Sequence, residues 1–285
     1  MQSLWMLAAS LLFAAMGVCV KLAATAFTAA ELVFYRGFVS LLLLGAFVAW
    51  KKSALATRHW RAHFWRGLSG FVSLVAYFYA ISLIPLAAAV TLNYTSPLFL
   101  ALLLAFWRRE PIAAELYLAL ATGFAGVALL LQPTLTAEQW FGGLLGLASG
   151  VISSVAYLNV RRLGELGEPE WRTVFYFSLF ATVGGLPSFI AAGPLHAIDG
   201  RGWLLLLGVG GFGTLAQLCM TAAYKRGSTL AAASLAYTTV IFSSLFGLVL
   251  WHESLPWQAW AGIALIVAGG IAATLRSRAA PAVTD

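Results

Sequence analysis

The chain alternates long apolar runs with short segments that hold most of its charges and prolines. Each run has about 20 residues, enough for an α-helix to cross a hydrocarbon core of ~30 Å. The runs are continuous and lack the two-residue alternation of barrel strands, so they predict helices. The ten predicted membrane helices cover residues 3–22, 29–50, 66–84, 86–106, 112–131, 140–160, 172–192, 202–224, 229–251 and 257–275.

One apolar pattern occurs twice. Residues 86–107 begin with Leu-Ala-Ala-Ala, contain polar residues in the middle and end in Trp, and residues 230–251 repeat this pattern. Five helices in each half is an odd number, so the halves enter the membrane in opposite orientations, as in many secondary transporters. The predicted fold is an all-α membrane protein of two inverted five-helix repeats, residues 1–135 and 136–278, followed by a cytoplasmic tail at 279–285.

Composition and charge agree with this topology. Hydrophobic residues make up 61% of the chain and charged residues 9%, which excludes an ordinary water-soluble domain. With the N-terminus inside, fourteen of the 17 basic residues, Arg66 among them, fall on the cytoplasmic side, and only Lys21 and Arg201 fall outside. This bias predicts a multi-pass protein of the cell inner (plasma) membrane with both termini in the cytoplasm. Because the basic residues flank helices, the net charge of +7 does not indicate nucleic-acid binding.

Several helix starts resemble those of a known transporter family. The residues that carry the resemblance are Glu31 and Arg36 in predicted helix 2, the Pro85-Leu86-Ala87-Ala88-Ala89 start of helix 4 with Pro97 inside it, and Glu110 and Glu253, which precede helices 5 and 10. The chain resembles the EamA-type branch of the drug/metabolite transporter superfamily, and within it the YddG-like amino-acid exporters. The resemblance implies a ten-helix inverted-repeat fold and export of small metabolites, with aromatic and other amino acids as the substrate class.

Polar side chains recur at spacings of three and four residues on predicted helices 3, 6, 8 and 9, and they interrupt helix 4. These stripes, which include Ser69 on helix 3 and Ser149 on helix 6, predict a polar cavity surrounded by helices 3, 4, 6, 8 and 9. By contrast, helices 5 and 10 are almost purely apolar, and glycines such as Gly126 and Gly262 predict close packing there. The candidate substrate-binding residues are Arg36, Ser73, Tyr77, Asn93, Tyr94, Ser153, Tyr157, Gln217, Thr221, Tyr237 and Thr238.

These residues also have structural interpretations. A Ser or Thr hydroxyl can bond to a carbonyl of its own helix, and the amides of Asn93 and Gln217 can join neighbouring helices. Arg36 either snorkels or pairs with Glu31, or it lies near a substrate carboxylate. The tyrosine rings can stack on an apolar substrate group and face an ammonium group.

No Asp or Glu lies in the middle of a predicted helix, and all four histidines lie in loops or at helix ends. A carboxylate-centred proton relay is therefore disfavoured. The prediction is an uncharged but polar cavity that fits a net-neutral zwitterion.

The predicted function is a secondary transporter, not an enzyme. It exports small neutral metabolites, above all aromatic and other apolar amino acids, by alternating access, as facilitated diffusion or exchange. It uses no cofactor and no metal, its partners are the small-molecule substrate and the lipid bilayer, and it is a monomer or a homodimer. The alternatives are export of other metabolites or drugs by proton antiport, and a membrane sensor or enzyme that binds a lipid head group.

Overall fold

The computed structural model of the protein describes residues 2–108, 114–131, 136–191, 198–226, 232, 235–253 and 255–276, and every element within them is an α-helix. The first six helices are α1 (Gln2–Ala23), α2 (Ala29–Lys51), α3 (Trp60–Leu83), α4 (Leu86–Asn93), α5 (Ser96–Arg108) and α6 (Ala114–Leu131). They are followed by α7 (Ala137–Glu165), α8 (Glu170–Ala191), α9 (Gly200–Arg226), α10 (Thr238–Trp251) and α11 (Trp257–Arg276).

The outer surface is that of a membrane protein. Among the described residues, six helices are long and apolar enough to span a bilayer, namely α1, α2, α3, α7, α8 and α9. Large apolar side chains such as Leu42, Leu204 and Val249 are more than half exposed on these helices and on α10. Such a surface is unfavourable in water and expected in lipid, where helices also satisfy their own backbone hydrogen bonds. The chain is a multi-pass membrane protein.

Local sequence signals account for several helix ends. At the start of α2, the Thr28 hydroxyl accepts a hydrogen bond from the Glu31 N–H, and the Glu31 carboxylate accepts one from the Thr28 N–H, which is a capping box. Between α3 and α4, Ile84 is extended because it precedes Pro85, whose ring disfavours a helical residue before it.

Predicted helix 4 is interrupted in the structure. Helix α4 ends at Asn93, Tyr94 and Thr95 form a turn, and α5 begins at Ser96. Pro97 lies in the first turn of α5. Its lack of an N–H costs nothing there, because the N–H groups of a first turn have no partner within the helix. In the second copy of the sequence pattern a turn at Tyr237 precedes α10. Glu110, Ser234, the start of the second pattern at residues 230–231 and the tail at 279–285 lie outside the described residues.

Packing joins the two parts of the chain throughout the molecule. The main helix pairs are α1 with α9, α2 with α8, α3 with α7 and α6 with α11. Each pair combines a helix from residues 1–135 with one from residues 136–278. The buried residues form one continuous apolar core, which includes Leu32, Phe78 and Leu86. The two parts therefore share a single interior.

Helices α6 and α11 approach each other at glycines. A Cβ atom added to Gly126 would lie 2.6 Å from the Gly262 carbonyl oxygen and 2.8 Å from the Ile266 backbone nitrogen. Only a residue without a side chain fits between these two backbones. The structure thus confirms the close packing predicted from the glycines of these two helices.

We predict that Gly126→Ala lowers the free energy of unfolding by about 1–3 kcal/mol, because the added methyl group forces the two backbones apart. Thermal unfolding in detergent measures this loss. Gly211→Ala is the matched control, since a Cβ atom at Gly211 meets nothing within 4 Å. Equal unfolding temperatures for the two variants would show that the α6–α11 contact is not tight.

Candidate substrate cavity

A cavity of about 70 Å³ lies between the two parts of the chain. A buried water needs roughly 10–15 Å³ of such space, so there is room for on the order of five waters. Residues of α1, α2, α3, α4, α7, α8 and α9 form the wall of the cavity. The lining residues are Phe13, Met16, Arg36, Arg66, Gly70, Ser73, Leu74, Tyr77, Asn93, Tyr94, Ser153, Ala156, Tyr157, Phe177 and Gln217.

Most of the predicted site residues meet in this cavity. The structure brings together Arg36, Ser73, Tyr77, Asn93, Tyr94, Ser153, Tyr157 and Gln217. Thr221, Tyr237 and Thr238 do not line it. The Thr221 hydroxyl donates to the Gln217 carbonyl at 2.7 Å and the Thr238 hydroxyl to the Leu235 carbonyl at 2.7 Å, while Tyr237 is buried in the core. For Thr221 and Thr238, the alternative of bonding within the local backbone is the one observed. A substrate-binding role for the other eight stays a prediction.

Helix α3 presents one face to the cavity. Arg66, Gly70, Ser73 and Tyr77 follow one another at spacings of four, three and four residues, which keeps them on the same side of the helix. The sequence pattern predicts Ser69 on this stripe, but the Ser69 hydroxyl donates to the Trp65 carbonyl of its own helix at 2.5 Å.

Arg66 lines the cavity although the sequence pattern does not predict it there. Its position at the start of a predicted helix groups it with the cytoplasmic loop charges. In the structure α3 begins earlier, at Trp60, and Arg66 is 3% exposed. Its helical spacing from Ser73 and Tyr77 is the signal that could have identified it.

A hydrogen-bonded polar cluster forms one side of the cavity. The Ser73 and Ser153 hydroxyl oxygens are 2.6 Å apart, and the Asn93 amide donates to Ser149 Oγ at 2.9 Å and to Ser153 Oγ at 3.4 Å. These bonds connect α3, α4 and α7. Asn93 therefore joins helices and lines the cavity at once, so the two interpretations drawn from the sequence are compatible.

Aromatic rings form much of the remaining wall. The Tyr157 ring packs nearly parallel to that of Tyr224, with centroids 5.8 Å apart. The Tyr94 hydroxyl accepts a hydrogen bond from Thr239 Oγ1 at 2.9 Å, which fixes its ring. Tyr77 and Phe177 add two further rings. Such rings present apolar faces to a carbon skeleton and a negative face to a cation.

The cavity also contains two positive charges. The guanidinium carbons of Arg36 and Arg66 lie 4.8 Å and 4.2 Å from the centroid of the Phe177 ring. In the described part of the chain, no Asp or Glu is among the lining residues. The prediction of an uncharged cavity was wrong, because it counted Arg66 as a surface residue and considered Arg36 alone.

An ionic cluster lies at one end of α3. Lys21 Nζ lies 2.5 Å from Glu253 Oε1, and the same carboxylate oxygen accepts a hydrogen bond from the Leu86 N–H at 3.2 Å. Lys21 Nζ also donates to the Ile84 carbonyl at 3.4 Å. We call these residues the Glu253 cluster. It connects α1 and the start of α4 to the segment between α10 and α11.

A second cluster lies at the opposite end of α3, which has 24 residues and is therefore about 36 Å long. Glu168 accepts hydrogen bonds from Thr57 Oγ1 and from Arg172 Nη1, the latter at 2.8 Å, and His63 Nε2 lies 3.5 Å away. Lys225 Nζ donates to the Glu168 carbonyl at 3.1 Å. We call these residues the Glu168 cluster. Burial raises the pKa of Glu168, but the hydrogen bonds and positive charges around it outweigh that effect and lower the pKa overall.

Comparison with known proteins identifies the family. The model of the EamA-like transporter family matches residues 1–132 and 140–275. The chain belongs to this family. This EamA-like transporter is 31% identical to a pseudopaline exporter of Pseudomonas aeruginosa, over 93% of the chain and 92% of that protein. It is 24% identical to a riboflavin transporter of Brucella anthropi, over 93% of the chain and 95% of that protein.

Two further comparisons extend this result. An S-adenosylmethionine uptake transporter of Rickettsia bellii is 24% identical to the EamA-like transporter, over 87% of the chain and 84% of that protein. A solved crystal structure with 24% identity superposes with a TM-score of 0.71 and covers 97% of both chains, so the two share a fold. The protein is a membrane transporter for a small molecule and not an enzyme.

We predict that Glu168→Gln destabilises the transporter by about 1.5–3 kcal/mol at neutral pH, because it weakens charge-assisted hydrogen bonds. The folded-state pKa of Glu168 lies below its ordinary value of 4.5, so this stabilisation is present above that value and is lost as the pH falls through the folded-state pKa. Thermal unfolding of both proteins between pH 7 and pH 3 measures the difference.

The control for this prediction is Glu165→Gln, which removes an exposed ion pair with Arg161. Such a pair within one helix contributes only about 0.2–0.5 kcal/mol. A difference between wild type and Glu168→Gln that stays constant or grows as the pH falls would contradict the assigned role of the Glu168 carboxylate.

Proposed function

We propose that this chain is a secondary transporter that moves amino acids or closely related metabolites by alternating access. One observation carries the proposal. Residues from both parts of the chain line the same cavity, and the Glu253 cluster and the Glu168 cluster join those parts at opposite ends of α3. A substrate bound there contacts both parts, so a rocking movement between them can expose it to either side in turn. The binding residues proposed are the eight predicted residues that line the cavity, together with Arg66.

We also propose that the two parts are inverted repeats of five membrane helices each. Let α1, α2, α3, α4 with α5, and α6 correspond in order to α7, α8, α9, the predicted helix at 229–251 that contains α10, and α11. Exchanging the two halves in this way turns the pair α1–α9 into the pair α7–α3. It leaves the pairs α2–α8 and α6–α11 unchanged. These are the main pairs observed, and a pseudo-two-fold axis requires such a pattern. The two ranges of the family match follow the same division.

The two clusters supply alternative closures. The Glu253 cluster joins the parts at one end of α3 and the Glu168 cluster at the other. Access from either side requires one cluster to separate while the other holds. With both clusters formed, a cavity of about 70 Å³ is small for an amino acid, so it has to widen when an end opens.

We propose export across the cell inner membrane, with both termini in the cytoplasm. Removing the buried Arg66 from the topology count leaves thirteen basic residues on the cytoplasmic side and two outside, so the charge bias still supports this orientation. Similarity to a pseudopaline exporter favours export. In the described part of the chain, no carboxylate lines the cavity, which favours facilitated diffusion or exchange over proton antiport.

Counterflow of labelled amino acids into preloaded proteoliposomes tests the proposal. Tyr77→Ala removes a ring from the cavity wall, and we expect the apparent affinity to fall about 2- to 10-fold, as the loss of one aromatic contact predicts. Tyr79→Ala, two residues further on the lipid-facing side of α3, is the matched control and leaves transport unchanged. An imposed pH gradient has little effect on the rate.

Two results would argue against the proposal. One is the absence of exchange for every amino acid and related metabolite tested. The other is equal sensitivity of transport to Tyr77→Ala and Tyr79→Ala, which would mean that the cavity is not the route. Strong acceleration by a proton gradient would instead support proton antiport.

A further inference from the structure

Within the residues that the structure describes, no carboxylate lines the cavity beside its two arginines. Arg36 is 2% exposed and Arg66 is 3% exposed. Nε and Nη1 of Arg36 and Nε of Arg66 are buried and have no hydrogen-bond partner among the described residues. Glu31, the carboxylate that the sequence offered to Arg36, accepts hydrogen bonds from Thr28 at the start of α2. Buried guanidinium groups ordinarily have negatively charged partners. For these two groups, the described residues do not supply that negative charge.

The backbone makes room for both guanidinium groups. A Cβ atom on Gly70 would lie 2.0 Å from Arg66 Nη1, and one on Gly213 would lie 3.2 Å from Arg36 Nε. Each arginine therefore lies against a glycine, one on α3 and one on α9. With Phe177 beside both groups, these contacts fix the arginines within the wall of the cavity and do not let them extend to solvent.

The two charges are close enough to repel each other. Because the guanidinium carbons lie 4.8 Å and 4.2 Å from the same ring centroid, they are at most about 9 Å apart, the sum of those distances. An anion in the cavity would relieve both the repulsion and the missing hydrogen bonds. A neutral zwitterion supplies only one carboxylate for two guanidinium groups.

We infer that the substrate is a small organic anion with two acidic groups, one for Arg36 and one for Arg66. This inference rests on the proposed transport function and specifies its substrate class. A guanidinium group presents a planar fork of donors that matches the two oxygens of a carboxylate. The carbon skeleton between the acidic groups lies against Phe13, Leu74 and Phe177, and Asn93 and Gln217 provide neutral polar contacts.

Matched pairs of acids and amides test the substrate class. Glutamate and glutamine, or aspartate and asparagine, differ only in one side-chain carboxylate. We expect the acid of at least one pair to raise the unfolding temperature of the purified transporter more than its amide does. O-phosphoserine is a further probe, which distinguishes a preference for phosphate from one for carboxylate.

Variants of the two arginines test the assignment. For an acid that binds, Arg66→Gln and Arg36→Gln each weaken binding about 10- to 100-fold, the loss expected for hydrogen bonds to a charged group. Lys at either position keeps the charge but not the fork, so it weakens binding less. Arg161→Gln, on the exposed face of α7, is the control and leaves binding unchanged.

Thermal unfolding without substrate gives a readout that needs no bound probe. Removing one of two unpaired buried charges relieves repulsion, so Arg66→Gln raises the unfolding temperature of the empty transporter. If the arginines instead serve only to hold the fold together, the same substitution lowers that temperature, and the inference is overturned. Equal stabilisation by acid and amide in every pair, or stabilisation by neither, also overturns it.

Counterflow separates this inference from the proposed function. Exchange of neutral amino acids without exchange of any acid leaves the transport proposal intact and removes the inference. Stabilisation by an acid without exchange of any solute supports the binding of an anion but argues against the transport proposal. Exchange of the acids, lost in Arg66→Gln and kept in Arg161→Gln, supports both.

Discussion

Two buried positive charges, for which the described residues supply no counter-charge, constrain this structure more than any other feature. Arg36 on α2 and Arg66 on α3 lie beside the same aromatic ring, deep among helices that face lipid. Burying an unpaired charge is unfavourable, and a fold tolerates it where a ligand completes the environment. The polar cluster, the aromatic wall and the glycines at positions 70 and 213 all surround these two side chains.

The arrangement of closures follows from the same constraint. The charged ligand that we infer cannot cross the apolar core, so the proposed mechanism needs a path that opens to one side while the other side stays sealed. The Glu253 cluster and the Glu168 cluster lie at opposite ends of α3, and each joins helices from both parts of the chain. They are ionic, and a shift of a few ångströms that lets water reach the charges weakens such contacts strongly.

The sequence predicted the membrane class, the family resemblance and eight residues of the cavity wall, because apolar runs and helical spacing determine which side chains share a face. The prediction from sequence failed where the position of a residue along the chain gave a false indication of its burial or contacts. Arg66 precedes an apolar run and resembles a loop charge, yet α3 begins six residues earlier and carries it inside. Thr221 and Thr238 have the right spacing, but hydrogen bonds to nearby carbonyls satisfy them. Packing between helices decides where each helix ends and which local hydrogen bonds form. A single sequence does not show that packing.

The most direct test of the account is the side from which the cavity can be reached. In a chain that also carries Cys19→Ala and Cys219→Ala, the substitution Ser153→Cys reports access of a membrane-impermeant thiol reagent to the cavity. We expect Glu253→Ala to increase labelling of this cysteine from the outer side and Glu168→Ala to increase it from the cytoplasmic side. Labelling from the same side in both variants, or no change in either, would contradict a shared cavity with two opposed closures.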